Sequence, residues 1–319
     1  MSYATTRKPG KDFLDKPSYL RLGEKEVKER ADKAYERLRS CNLCPWNCRV
    51  DRIEGKKKGV CRSFSKPIVS SYNLHFGEEP VISGKRGSGT IFFTNCTLHC
   101  VFCQNYPISQ LGAGKEYSDE ELAEMMLYLQ KRGAHNINFV TPTHFVANIL
   151  NALHIAMRKG FEIPLVYNTS GYESVETLKL LDGIVDIYLP DIKYSDNRMA
   201  KKYSRALNYV ENNRAALKEM FRQVGLLVVD ENGVAVKGLI IRHLILPENI
   251  AGTRDSMEFI AKEISPLVTI SLMSQYFPAY KAHEYRELSR RITVSEYLQA
   301  IKDMEAAGLK NGWIQDFLW

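Results

Sequence analysis

From Gly89 onward the chain alternates short β-branched and aromatic runs with longer stretches of helical periodicity, and this alternation leaves few architectures open. Candidate strands cover residues 90–93, 136–140, 165–167, 185–189, 238–244 and 268–272. Capping-box sequences start helices between and after them: Ser118-Asp119-Glu120-Glu121, and Thr293-Val294-Ser295-Glu296. Six strands joined by helical crossovers read as an α/β chain built on a parallel sheet. A hairpin is expected over residues 226–236, where Asp230-Glu231-Asn232-Gly233 separates two Val-rich runs. The clearest linker is Gly84-Lys85-Arg86-Gly87-Ser88-Gly89. The expected organisation is therefore an N-terminal module over residues 1–85, the α/β region over 86–285, and a C-terminal helical extension over 286–319 packed on it.

At 319 residues, 45% hydrophobic and 25% charged, the chain can bury a full core, and it contains no apolar run near the 18 residues of a membrane span. Residues 1–20 lack an apolar segment ahead of a small-residue cleavage site, so a cytoplasmic location is expected. The net charge of +7 is concentrated at one end: residues 1–66 hold 18 Lys and Arg against 9 Asp and Glu. Six of those basic residues, with five acidic ones, fall on a helical pattern from Glu24 to Arg39, where Val27, Ala31, Tyr35 and Leu38 form one stripe. Charges of alternating sign around the stripe favour a solvated helix face over a nucleic-acid surface, although the basic segment keeps nucleic acid open as a partner.

Seven cysteines in two tight groups point to metal ligation in a reducing compartment. Cys96, Cys100 and Cys103, spaced C-x3-C-x2-C, directly follow the first expected strand. Three thiolates can hold three irons of a [4Fe-4S] cluster and leave the fourth without a protein ligand. His99 is poorly placed to complete a zinc site because it directly precedes Cys100. The second group, Cys41, Cys44, Cys48 and Cys61, can close a tetrahedral site, with Gly55 and Gly59 permitting the turns that return Cys61. Zinc and a second iron–sulfur cluster are both compatible with that spacing.

The C-x3-C-x2-C loop, with Phe102 before its third cysteine, resembles that of the radical S-adenosylmethionine (SAM) enzymes. Tyr167-Asn168-Thr169-Ser170-Gly171-Tyr172, Asp186-Ile187-Tyr188-Leu189-Pro190-Asp191-Ile192-Lys193 and Arg242-His243-Leu244-Ile245-Leu246-Pro247 resemble strand ends of the proteins related to pyruvate formate-lyase activating enzyme. The whole pattern is similar to an uncharacterised branch of that group with an additional N-terminal cysteine motif. The resemblance implies a partial (β/α)6 barrel whose mouth holds a [4Fe-4S] cluster and SAM. It also implies reductive cleavage of SAM to a 5′-deoxyadenosyl radical that abstracts hydrogen, with electrons from a donor such as ferredoxin or flavodoxin.

By the same resemblance, Asp191 and Lys193 match a D-x-K pair suited to SAM polar groups, with a buried structural ion pair as the alternative. Asn168 and Thr169 match a D-T pair which, with Asp191 and the Leu189 carbonyl, resembles a monovalent-cation site beside SAM; Asn in place of Asp gives this site less negative charge. Arg242 fits a contact to the SAM carboxylate or ribose. His243 falls on the other side of its strand as a packing or substrate-side residue. Where activating enzymes carry Gly-Gly-Glu, this chain has Phe139-Val140-Thr141-Pro142-Thr143-His144, so the Thr141 and Thr143 hydroxyls are the candidate partners of the SAM amine. His144 is either substrate-facing or a helix-start residue. The implied substrate is a protein or peptide, as in glycyl-radical activation; the alternatives are a small metabolite, RNA, or metal binding without catalysis.

Overall fold

The computed structural model describes residues 16–317, so most of the stretch read for a secretion signal lies outside the described residues. Ten strands occur among them: β1 (Ile68–His75), β2 (Ser88–Phe93), β3 (Lys115–Glu116), β4 (Ile137–Val140), β5 (Leu165–Thr169), β6 (Ile187–Pro190), β7 (Val228–Val229), β8 (Ala235–Leu244), β9 (Thr269–Met273) and β10 (Gly312–Ile314). The sheet runs β10-β9-β8-β6-β5-β4-β2-β1-β3, with β7 paired to β8 alone. The six strands expected from sequence are β2, β4, β5, β6, β8 and β9. Each pairs in parallel with the next, so their carboxyl ends share one edge of an α/β partial barrel.

Strand alternation divides the interior into two cores. Ile91, Phe93, Phe139, Tyr167, Tyr188, Leu239 and Ile241 pack in the large core that also takes the helices Asp119–Lys131, Val146–Met157 and Tyr209–Val224. Val166, Ile187, Leu189 and Ile240 alternate with these and meet Val81 and Ile82 of the short helix Pro80–Ser83 in a separate core. Asn168, Asp191 and Arg242 continue that second face toward the carboxyl edge. Both expected capping boxes form, Ser118 with Glu121 and Thr293 with Glu296.

The structure extends the α/β body beyond the expected boundary at residue 85. β1 lies before that linker and pairs antiparallel with β2 from Val69 to His75, while helix Pro80–Ser83 fills one end of the barrel. Without them β2 would be an open edge and the inner apolar face would be wet. On helix Glu24–Arg39 the expected stripe residues Val27, Ala31 and Leu38 are buried, Ala34 joins them where Tyr35 is only partly buried, and this helix packs against Val146–Met157. The expected hairpin is present as β7 and β8. At the C-terminus, helix Val294–Ala306 is followed by a strand, β10, which extends the sheet in parallel beside β9 where only helix was expected. Among the described residues, no helix is long and apolar enough to cross a membrane.

Candidate active site

The loop after β2 carries Cys96 and Cys100, both buried, and the more open Cys103. Its sulfurs already receive polar contacts: Leu98 N–H donates to Cys96 Sγ (3.3 Å) and the Ser204 hydroxyl to Cys100 Sγ (2.9 Å), while Ser109 Oγ lies 3.0 Å from Cys103 Sγ. The loop backbone is pinned from across the barrel mouth, with His99 N–H on the Ser204 carbonyl (3.0 Å) and Val101 N–H on that of Tyr203 (2.8 Å). Burial pushes the Cys96 thiol up to about 12 and the Cys100 thiol to about 11; the Lys193 ammonium works in the opposite direction on both. Such thiols ionise when a metal takes the place of the proton. His99 is held by Gln110, Nδ1 to Oε1 at 3.3 Å, and burial lowers its basicity. Among the described residues, no three His, Cys, Asp or Glu side chains stand in ready coordination geometry.

At the carboxyl ends of β5, β6 and β8, four residues expected at the site meet in one buried network. Arg242 Nε donates to Asp191 Oδ1 (2.9 Å) and its Nη2 to Asn168 Oδ1 (2.6 Å), and Lys193 Nζ donates to Asp191 Oδ2 (2.5 Å). Glu78, which the sequence reading missed, joins from the turn after β1, with Oε2 3.6 Å from Arg242 Nη1 and Oε1 accepting from Asn168 Nδ2 (3.4 Å). Burial is the largest influence on Asp191 and raises it, but Arg242 and Lys193 together outweigh burial and hold the carboxyl below its ordinary value. For Glu78 burial wins over Arg242, and the carboxyl rises to about 7. With one guanidinium nitrogen toward each of Asp191, Asn168 and Glu78, Arg242 is engaged inside the protein rather than extended toward a ligand.

Thr143 and Thr169 are drawn into a different cluster. Both hydroxyls donate to Glu173 Oε1, and Tyr167 Oη donates to Glu173 Oε2 (3.3 Å). Burial lifts the Glu173 carboxyl to about 7 despite these donors. A carboxylate is thus present near the end of β4, supplied by the loop after β5; its signal in the sequence was its place directly after the recognised Tyr167–Tyr172 stretch. Thr141 adopts a left-handed backbone (φ 61°), with its N–H on the Asn168 carbonyl (2.9 Å). His144 lies in the turn Thr143–Phe145, fully packed, with Nε2 3.0 Å from the Thr94 carbonyl, and burial lowers it to about 3. His243 sits between the Ile192 carbonyl (2.8 Å) and Thr253 Oγ1 (3.0 Å) as a packed, neutral residue lowered by burial to about 4.

The four-cysteine segment abuts this site. Trp46 Nε1 donates to the Thr97 carbonyl inside the Cys96–Cys103 loop (2.7 Å), and its ring packs edge-on against Tyr172. Asn95 Nδ2 donates to Ser63 Oγ (3.1 Å), which itself donates to the Cys61 carbonyl (3.1 Å). Arg62 donates to the carbonyls of Gln110 (2.6 Å) and Ser109 (3.0 Å). On the far side, helix Asn197–Ser204 separates the Cys100 sulfur from a cavity of about 730 Å³ whose charged lining includes Asp196, Lys202, Glu248, Asp255, Arg286 and Glu287.

Residues 90–260 match the model of the Radical SAM superfamily. The chain is 34% identical over 312 residues to the uncharacterized protein MJ0674 of Methanocaldococcus jannaschii, covering 93% of this chain and 83% of that protein. Among solved structures it is similar to anSMEcpe with bound AdoMet (TM-score 0.45, 11% identity, 67% of this chain and 57% of that one). It is also similar to TYW1 with a lysine-pyruvate adduct bound (TM-score 0.41, 12% identity, 68% and 73%).

Proposed function

The chain belongs to the radical SAM superfamily, and from that premise we propose that it cleaves SAM reductively at Cys96, Cys100 and Cys103 and directs hydrogen abstraction to a protein or peptide. The family implies a [4Fe-4S] cluster and SAM as its partners; when bound, they supply the one-electron cleavage and the abstracting radical. The observation that carries the reading is that the Cys96–Cys103 loop leaves the carboxyl end of β2 on the same edge of the parallel sheet as the polar ends of β5, β6 and β8, where Asp191 and Lys193 are ion-paired (2.5 Å).

The protein's own groups have separable tasks in this reading. Leu98 N–H, Ser204 and Lys193 favour ionised sulfur at Cys96 and Cys100. Phe102, packed against Tyr194 and Tyr276, keeps water from the rear of the loop. Thr141, at the end of β4, and the Asp191–Lys193 pair are the groups offered to SAM, whereas Arg242, Asn168, Thr143 and Thr169 act by holding neighbouring carboxylates in place.

A protein or peptide is taken as the substrate class from the resemblance to activating enzymes, and RNA and small metabolites are the competing outcomes of the test. The test is anaerobic incubation of the iron- and sulfide-reconstituted protein with SAM, reductant and deuterated cell extract, separated into protein, RNA and small-molecule fractions. Release of 5′-deoxyadenosine carrying deuterium from the protein fraction is the expected result. Deuterium transfer only from the RNA or metabolite fraction would reject the substrate class, and absence of SAM cleavage would reject the reaction.

A further inference from the structure

Between Arg39, the last residue of the long N-terminal helix, and Ile68, the first of β1, the chain forms no helix or strand. Stretches of that length without secondary structure are uncommon inside a compact body and need another source of rigidity. This one is tightly built. Cys41 N–H donates to the Val50 carbonyl (2.9 Å) and Arg49 N–H to the Cys41 carbonyl (3.0 Å). Asn47, Arg49 and Arg62, next to or near the four cysteines, all hold left-handed backbones (φ 44°, 56° and 57°) that non-glycine residues keep only when their surroundings fix them. A Cβ on Gly59 would lie 2.6 Å from Cys48 Sγ, so the chain returning to Cys61 closes directly over that sulfur.

Arg52 supplies the decisive observation. It is fully buried, and among the described residues no carboxylate pairs with it. Nη1 donates to the His144 carbonyl (2.7 Å) and Nη2 to the Phe64 carbonyl (2.7 Å), Nε has no hydrogen-bond partner, and Nη1 lies 3.9 Å from Cys41 Sγ. A guanidinium does not discharge by losing its proton, and a buried charge without a counter-charge is among the costliest features a fold can carry. Carbonyl dipoles compensate only part of it. The ionisable group facing the guanidinium is a cysteine of the four-cysteine set.

We propose that Cys41, Cys44, Cys48 and Cys61 ligate a thiophilic metal centre of net negative charge, either a zinc tetrathiolate or an iron–sulfur cluster, with Arg52 as its buried counter-ion. The centre also braces the Cys96–Cys103 loop and its flanks, because Trp46 bonds Thr97 inside the loop, Ser63 bonds Asn95 just before it, and Arg62 bonds Ser109 and Gln110 after it, all from residues between or beside the four ligands; this consequence rests on the radical SAM reading above. Arg52 is a positioning residue here, setting charge and shape around the centre.

The experiment uses the full-length chain, purified anaerobically, with Cys96, Cys100 and Cys103 all changed to Ala. After incubation with Zn²⁺ alone, or with Fe²⁺ and sulfide, this variant should retain about one zinc or about four irons per chain. Adding Cys44→Ser and Cys61→Ser should remove that metal. Zinc retention identifies the tetrathiolate and iron with sulfide the cluster; retention of neither overturns the proposal. In the otherwise wild-type chain, Arg52→Met should speed loss of this metal to a chelator by about tenfold or more, as loss of a partner outside the ligand shell does elsewhere, with Arg52→Lys intermediate. Unchanged retention in a folded Arg52→Met protein overturns the counter-ion assignment. Metal retained at this site in a wild-type protein that releases no 5′-deoxyadenosine would overturn the catalytic reading and leave this one standing.

Discussion

Arg242 bridges Asp191 and Asn168, its Nε donating to Asp191 Oδ1 at 2.9 Å and its Nη2 to Asn168 Oδ1 at 2.6 Å. Family resemblance places a monovalent cation among these same oxygens, together with Thr169. In this structure a guanidinium lies between Asp191 and Asn168, and the Thr169 hydroxyl is turned to Glu173. The substitution of Asn for Asp at position 168 then has a physical reason, since the fixed positive charge is already opposed by Asp191 and Glu78.

Stability and SAM affinity should accordingly be the same in potassium chloride and in choline chloride of equal ionic strength. Arg242→Met leaves Asp191 and Glu78 with less compensation and should cost about 3–5 kcal/mol, the range for breaking a buried pair. Part of that loss should return with potassium. Denaturant unfolding in the two salts checks this, and a wild-type protein that needs potassium would refute it.

Replacing Cys96, Cys100 and Cys103 together by Ala should abolish the SAM-sensitive EPR signal of the reduced protein and all 5′-deoxyadenosine release. The fold should persist, because the loop backbone is held by Tyr203, Ser204, Ile108 and Ile68 carbonyls rather than by the sulfurs. Electron paramagnetic resonance and circular dichroism on one preparation separate loss of the site from loss of the structure.

Thr141 holds φ at 61°, a conformation that a β-branched residue adopts only under strain. Thr141→Gly should raise unfolding stability by about 1 kcal/mol, the lower end of what such strain costs. If the hydroxyl serves SAM, affinity falls while stability rises. A stabilised variant with unchanged SAM affinity would restrict Thr141 to a backbone role.

Asp186 sits at the amino end of β6, where it accepts from the backbone N–H groups of Ser18 (2.8 Å) and Leu165 (3.1 Å). Burial outweighs these donors and raises the carboxyl from 3.8 to about 6. The folded protein therefore holds this proton more tightly than the unfolded chain does. The favourable contribution is complete below about pH 4 and is lost as pH rises through about 6, at about 1.4 kcal/mol per unit of displacement. Unfolding of Asp186→Asn beside wild type should show their stability difference moving in favour of the variant across that window and flattening above it. A difference independent of pH would refute the assignment.

The parallel order of the six strands, the helix caps, the hairpin and both cysteine groups were legible in the chain because each depends on periodicity or spacing over a few residues. The stripe on Glu24–Arg39 was equally local. The partners that give the site residues their tasks were not. Asn168 meets Glu78 across 90 positions of sequence, and Arg52 meets His144 across 92. Nothing local marks Glu78 as a barrel residue, because its place depends on Val81 and Ile82 filling the inner apolar face and carrying the preceding turn inward. Thr143 and Thr169 illustrate the same limit: their positions at strand ends follow from sequence, but strand alternation and the loop after β5 direct their hydroxyls to Glu173. Sequence alone determined which residues arrive at the carboxyl edge; tertiary structure decided which of them pair with one another, because the energy of a buried charge depends on every group that folding brings within a few ångströms.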